Sequence, residues 1–145
     1  MFKHVLIPTD GSKLSEAAIQ QGVRFARSIN AKVTGLCVMP DFHVLTYQTE
    51  MLEDTKEEYA KHSSAEAERH LALIKQVAER EGVTCKTLSV INDHPYEAII
   101  QTATEKECDV IVMASHGRSG VQAVVLGSQT LKVLTHSKIP VLVYR

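Results

Sequence analysis

The feature that most constrains the fold is a regular alternation of short apolar runs with longer amphipathic segments. Five runs have the length and composition of buried strands, at residues 2–8, 31–38, 83–90, 109–114 and 140–144. Helical spacing predicts four helices between them, over residues 15–29, 55–81, 95–105 and 128–136. Strands that alternate with helices form βαβ units. We therefore expect a three-layer α/β fold, in which a doubly wound parallel sheet carries helices on both faces.

Length and composition limit the class of protein. The 145 residues predict a single domain spanning residues 1–145. Sixteen basic against 17 acidic residues give a net charge of −1, which argues against a general nucleic-acid binder. No apolar run approaches the ~18 residues that a membrane span requires. We therefore expect a cytoplasmic protein with no membrane and no nucleic-acid partner.

The three cysteines fit a reducing compartment. Their number is odd and no pair has C-x-x-C spacing, which argues against a disulfide scaffold or a zinc site. Cys37 and Cys85 fall within predicted strands, and we expect both to be small buried hydrophobic residues.

A long connection precedes the second predicted helix. Residues 41–54 show no clear period, and two interpretations stay open: a mobile lid over a ligand, or a plain surface loop. On the helix that follows, charged residues are expected on solvated outer faces; examples are Glu66, Glu68, Arg69 and Lys75.

The strongest chemical signal follows the fourth strand. A loop containing Gly117 leads to Gly127 and Ser128 at the predicted start of the last helix. Glycines admit close approach of a ligand, and a helix N-terminus offers unpaired N–H groups and partial positive charge. Ser128 and Thr130 add hydroxyl donors, so the segment suits a phosphate. The structural alternative is an ordinary loop followed by a Ser N-cap.

A second candidate position ends the first strand. Asp10 either accepts hydrogen bonds from a ribose diol or forms an Asx turn or helix cap. The common phosphate motifs do not match: there is no G-x-x-x-x-G-K-[ST], and no G-x-G-x-x-G follows the first strand. A P-loop NTPase is therefore excluded, and an ordinary dinucleotide site is a poor fit.

The spacing of these glycines resembles a motif of the universal stress protein family, and the likeness covers residues 2–145. Nucleotide-binding members share Gly, two residues, Gly, nine residues, Gly and then Ser or Thr. This sequence has Ala114, Gly117, Gly127 and Ser128 at that spacing, so that one glycine is an alanine. The opening I-P-T-D-G-S and closing P-V-L-V segments are also similar to the family.

This resemblance implies an adenine nucleotide alpha hydrolase-like sheet in the order 3-2-1-4-5, with the first and fourth strands adjacent. It also implies a site for ATP, or for ADP or AMP, with Mg²⁺ or Mn²⁺ held by the phosphates rather than by side chains. By matched position, Asp10 and Ala114 would flank the ribose, and Thr9, Met113 and the backbone of Val38 would line the adenine pocket. Gly117, Gly127, Ser128 and Gln129 would meet the phosphates, largely through backbone N–H groups. Beside these positions, the predicted nucleotide-binding residues also include Pro8, Thr130 for its hydroxyl, and Arg118 as a cation within reach of a phosphate. Arg118 is equally well explained as an exposed loop cation.

Three functions remain open. The first is an ATP-binding stress-response protein that acts as a homodimeric regulatory module, pairing through the last strand from Pro140 to Tyr144 and meeting an unknown protein partner. The second is a slow ATPase or a nucleotide-dependent transferase, for which the sequence lacks a P-loop lysine and offers only His116 near the motif. The third is a nucleotide-free interaction protein, in which Ala114 marks a lost site.

Overall fold

The computed structural model describes residues 1–42, 52–117 and 126–145, and these form five strands and four helices. The strands are β1 His4–Thr9, β2 Lys32–Met39, β3 Cys85–Ile91, β4 Val110–Ala114 and β5 Val141–Tyr144. The helices are α1 Lys13–Ser28, α2 Leu52–Glu81, α3 Pro95–Glu105 and α4 Ser128–His136. The predicted order of elements is confirmed. Most of the predicted boundaries that differ from the structure do so by one or two residues. The largest difference is at α2, which begins at Leu52, inside the predicted connection.

All five strands belong to one sheet with the order β3-β2-β1-β4-β5, and every neighbouring pair is parallel. This confirms the strand order that the family resemblance implies. The chain winds outward from β1 in one direction and from β4 in the other. Ligands of such sheets bind at this reversal point, beyond the carboxyl ends of the two strands.

A proline ends the hydrogen-bond ladder between β1 and β4 at the reversal point. The β1–β2 pairing continues to Thr9↔Cys37, but the β1–β4 pairing ends at Leu6↔Ile111. The carbonyl of His4 accepts a hydrogen bond from the β4 side, so alternation along β1 turns the nitrogen of Pro8 toward β4 as well. Because proline has no N–H, it cannot extend that ladder. The carboxyl ends of β1 and β4 therefore enclose a crevice.

Two apolar clusters cover the two faces of the sheet. Alternation within β1 sends Val5 and Ile7 toward α1 and α2, and Leu6 toward α3 and α4. On the first face, Gly22 of α1 lets the helix approach the sheet closely, since a Cβ there would lie 2.9 Å from Ile7 Cδ1. Helices therefore pack on both faces, which gives the expected three layers.

Local sequence sets the ends of α1 and α2. Ser12 caps α1 by accepting a hydrogen bond from the N–H of Ser15 at 3.1 Å. Asn30 follows the helix with a φ of 55°, and Gly82 follows α2 with a φ of 69°. Both residue types tolerate the left-handed conformation that ends many helices.

The remaining expectations about the fold have mixed outcomes. β5 lies at one edge of the sheet, as predicted. Cys37 and Cys108 are buried, and burial raises the pKa of the Cys108 thiol to about 11. Cys85 is only partly buried, because β3 is the opposite edge strand, so the expectation of full burial was wrong there. In the described part of the chain, no helix combines the length and the apolar character needed to cross a membrane.

Candidate functional site

The turn that follows β1 places the Asp10 carboxylate at the mouth of the crevice. Asp10 Oδ1 accepts a hydrogen bond from the N–H of Ser12 at 2.9 Å, and Thr9 Oγ1 accepts one from the N–H of Gly11 at 3.2 Å. This is the Asx turn that the sequence allowed as an alternative. It engages Oδ1, and the second oxygen, Oδ2, faces the loop after β4.

Gly117 lies directly against that second oxygen. A Cβ at Gly117 would collide with Asp10 Oδ2, so only glycine leaves the carboxylate in its present position. The structure thus brings together two predicted site residues that are far apart in sequence. They meet across the crevice between β1 and β4.

The start of α4 is fastened to the end of β4 by two hydrogen bonds. The N–H of Gly127 donates to the carbonyl of Ser115 at 2.6 Å, and the hydroxyl of Thr130 donates to the carbonyl of Ala114 at 2.9 Å. Thr130 is 3% exposed. Its single hydroxyl proton is therefore used inside the protein, which corrects the expectation that this hydroxyl donates to a phosphate.

The N-terminus of α4 has no side-chain cap. Its N-cap is Gly127, and Ser128 is the exposed first residue of the helix, so the alternative of a Ser N-cap was wrong. The side chain of Gln129 accepts a hydrogen bond from the N–H of Tyr96 at 3.1 Å, which ties α4 to α3. What Gln129 offers to a ligand is thus its backbone N–H, together with the partial positive charge of the helix end.

The other predicted residues lie along the walls of the crevice. Pro8, Thr9, Met113 and Ala114 are buried at the ends of β1 and β4. Val38 lies one residue beyond the last β1–β2 pair, so its backbone on that side extends past β1. Arg118 lies outside the described residues, as does most of the predicted connection, from residue 43 to residue 51.

Ala114 occupies a position that does not require glycine for its backbone. It ends β4, pairs with Tyr144 of β5, and has no positive φ. The difference from the family motif therefore introduces no conformational strain here. The methyl group of Ala114 changes only the space that is open to a ligand.

Sequence reasoning missed His70. This residue of α2 lies over the turn after β1: a Cβ at Gly11 would lie 2.6 Å from His70 Cδ2 and Cε1. Glu66, expected on a solvated face, is instead partly buried and lies 3.8 Å from His70 Nε2. The i,i+4 spacing of Glu66 and His70 was a usable signal, although it could not show which turn they cover.

His116 lies beside the crevice and shares a hydrogen bond of 2.9 Å between its Nδ1 and Ser115 Oγ. The described residues contain no cluster of three His, Cys, Asp or Glu side chains that could hold a metal ion.

A polar cavity of about 380 Å³ lies at the opposite, amino end of the sheet. Lys3, Lys32, Arg27 and Glu81 line it, and Glu81 bonds to Arg27 at 2.7 Å. The cavity also lies where α1 and α2 end, and helix C-termini carry partial negative charge. No predicted site residue lines it, so it is separate from the crevice.

Comparisons with known proteins agree with the architecture. The model of the universal stress protein family matches residues 1–145. A universal stress protein of Methanocaldococcus jannaschii is 30% identical over 145 residues, which are all of this chain and 83% of that protein. The solved structure of UspA from Lactobacillus plantarum superposes with a TM-score of 0.83 at 27% identity, covering 99% of this chain and 98% of that one.

Two further solved structures contain adenine nucleotides. A universal stress protein in complex with cAMP has a TM-score of 0.69 at 23% identity, covering 99% of this chain and 97% of that one. A universal stress protein of Archaeoglobus fulgidus in complex with dAMP has a TM-score of 0.66 at 18% identity, covering 100% and 98%. At these identities the likeness shows the fold alone. The match of the family model over the whole sequence shows that this chain belongs to the universal stress protein family.

Proposed function

We propose that this protein binds an adenine nucleotide, ATP in particular, in the crevice between β1 and β4. The observation that carries the proposal is the meeting of Asp10 Oδ2 with Gly117. A carboxylate oxygen there suits the diol of a ribose, and the uncapped start of α4 suits a phosphate. Relatives of the same fold are described in complex with cAMP and dAMP, which supports adenine nucleotides as the ligand class.

In this proposal the nucleotide lies along the crevice with its ribose nearest β1. Asp10 and Ala114 flank the ribose, and Thr9, Met113 and the backbone of Val38 flank the adenine. The phosphates accept hydrogen bonds from backbone N–H groups at the start of α4, with Mg²⁺ or Mn²⁺ bound to the phosphate oxygens. Because the whole chain carries a net charge of only −1, these local donors and the cation would offset the phosphate charge.

The test is a titration of nucleotide-free protein with Mg·ATP, ADP and AMP by calorimetry, together with thermal unfolding. A nucleotide at 100 times its Kd stabilises the folded state by about 2.7 kcal/mol. Gly117→Val forces the Asp10 carboxylate to move, and we expect it to weaken binding about tenfold or more, equivalent to about 1.4 kcal/mol. Absence of saturable binding to the unsubstituted protein at millimolar nucleotide would refute the proposal.

Two further variants separate a lost contact from a lost fold. Asp10→Asn keeps an oxygen for the turn but removes the negative charge that accepts from the ribose. Asp93→Asn changes an exposed carboxylate after β3 and serves as the matched control. We expect the first to weaken binding and the second to leave it unchanged, with both proteins unfolding at the same temperature in the absence of nucleotide.

We also infer that the protein is a homodimer that pairs through β5. The carbonyls of Pro140 and Tyr144 face β4, so alternation turns the backbone of Val141 and Val143 toward the open edge. Leu142 adds an apolar side chain that is 40% exposed. Open strand edges with apolar side chains pair readily, and a two-fold axis places two identical edges together.

Light scattering after size-exclusion chromatography tests the dimer. Val143→Pro removes one outward N–H while leaving the β4–β5 hydrogen bonds in place, and we expect monomers. Val143→Thr keeps the N–H and should remain dimeric. An unchanged mass for Val143→Pro, with the unsubstituted protein dimeric, would place the interface elsewhere.

A regulatory function in the cytoplasm completes the proposal and rests on the family and the composition. In that function, bound nucleotide changes the surface offered to a protein partner, which requires different affinities for two states. His116 bonds to Ser115 and gives no specific support for hydrolysis or group transfer, so turnover is not part of the proposal.

A further inference from the structure

His70 packs over the turn that carries Asp10, at one side of the proposed nucleotide site. Its ring covers Gly11, which adopts a φ of 78° next to Asp10. The His70 side chain is 15% exposed and comes from α2, a helix with no residue in the predicted site. The ring packs against the backbone of the turn that holds Asp10, so a shift of the ring would also displace the Asp10 carboxylate.

Both ring nitrogens of His70 face a partner. Nδ1 lies 3.8 Å from Sγ of Cys37, a buried residue near the end of β2. Nε2 lies 3.8 Å from Glu66 Oε1, one helical turn away on α2. The ring is thus held between a thiol and a carboxylate, with the turn after β1 beneath it.

The thiol of Cys37 can form a hydrogen bond with either protonation state of the His70 ring. With a neutral ring, the thiol donates to Nδ1 while Nε2–H points to Glu66. With a charged ring, Nδ1–H donates to the sulfur, and the thiol proton turns to Met39 Sδ, which lies 3.7 Å away. Rotation of one S–H bond therefore lets the ring take up a proton without losing a hydrogen bond.

The charged groups around the ring favour a response to pH. Glu66 of α2 faces the His70 ring, and Asp10 lies in the turn that the ring covers, next to Gly11. From α1, which packs against α2, the charges nearest this turn are those of Lys13 and Glu16, and both side chains are exposed. A proton on His70 adds positive charge beside a crevice that, in the proposed function, receives the negative charges of a nucleotide.

We propose that His70 is a positioning residue of the nucleotide site, and that nucleotide binds more tightly when its imidazole is protonated. This inference rests on the proposed function, since it concerns affinity for the same nucleotide. By linkage, the factor by which protonation tightens binding equals the factor by which bound nucleotide favours the protonated ring. A tenfold factor corresponds to a shift of one unit in the pKa of His70.

The experiment measures the Kd for Mg·ADP between pH 5.5 and 8.5 for four proteins: unsubstituted, His70→Gln, His116→Gln and His62→Gln. His62 is an exposed residue of α2 and serves as the matched control. Titration of the ADP phosphates is common to all four proteins and cancels in their ratios. We expect the ratio of Kd for His70→Gln to Kd for the unsubstituted protein to rise about threefold to tenfold from high to low pH. The other two ratios should stay constant.

A purely structural role for His70 would weaken binding by the same factor at every pH, and that result would overturn the inference. So would a pH dependence that disappears in His116→Gln instead. NMR titration of the His70 ring gives a second measurement, because its pKa must rise on adding Mg·ADP by the logarithm of the same factor. If the unsubstituted protein binds no nucleotide at any pH, the proposed function fails. If it binds with a constant ratio, only the role of His70 fails.

Discussion

Gly11 and Gly82 form a matched pair for testing the contact between His70 and the turn after β1. Both glycines have positive φ, 78° and 69°, so alanine is strained at either position. Their surroundings differ. A Cβ at Gly11 would overlap the His70 ring, whereas a Cβ at Gly82 would have no neighbour within 4 Å.

The magnitudes follow from these two environments. A left-handed alanine costs about 1–2 kcal/mol, which is the whole effect expected for Gly82→Ala. Displacing a packed side chain adds about 1–3 kcal/mol, as in other overpacked sites. We therefore expect Gly11→Ala to lower the free energy of unfolding by about 2–5 kcal/mol.

Urea unfolding followed by circular dichroism, without nucleotide, measures both variants. The double variant Gly11→Ala with His70→Ala closes a thermodynamic cycle. We expect it to be less destabilised than the sum of its single changes, by about 1–3 kcal/mol. Equal effects of Gly11→Ala and Gly82→Ala, or a coupling energy near zero, would show that His70 does not press on this turn.

Three further predictions concern the core. Burial, and secondarily the charge of Lys32, lowers the pKa of His4, so the folded state favours the neutral ring. The stability that this shift contributes is present above 6.5, the pKa of His4 in the unfolded chain, and is lost as the pH falls toward the lowered pKa of the folded state. Urea unfolding at pH 7.5 and 5.5 should therefore show a smaller loss of unfolding free energy for His4→Gln than for the unsubstituted protein. Because the pKa of Cys108 is about 11, iodoacetamide at pH 8 should label this thiol only after unfolding, and rapid labelling of native protein would contradict its burial. Gly35→Ala should lower the free energy of unfolding by about 1–3 kcal/mol, since its Cβ would lie 2.8 Å from Ile74 Cδ1. Ile74→Val removes that Cδ1 atom, so adding it to Gly35→Ala should restore part of the lost stability. No restoration in the double variant would place the strain elsewhere.

Elements with a strong local pattern were predictable from sequence. α3 begins and ends at the predicted residues, Pro95 and Glu105. Its start was readable because proline suits a first helical turn. The start of α2 was missed by three residues, since the segment before residue 55 has no apolar period. Strand order was available only through the family resemblance, because pairing joins residues that are distant in sequence.

The same limit of local patterns applies to the candidate site, which stays a prediction as a binding site. Asp10 and Gly117 were identified from their positions after strands, and the structure places them in contact. The hydroxyl of Thr130 was assigned to a phosphate, but it donates to the carbonyl of Ala114. A local pattern shows that a hydroxyl is present, whereas its partner depends on how α4 packs against β4.

By itself, the sequence determined that this chain forms a parallel α/β sheet with a polar turn after β1 and a glycine loop after β4. Periodicity, capping residues and glycines act over a few residues, so their effects can be read locally. Only the tertiary structure decided that Pro8 ends the β1–β4 ladder and opens the crevice, and that His70 of α2 covers Gly11. Those contacts depend on strand register and on the packing of a helix from elsewhere in the chain, which no local pattern encodes.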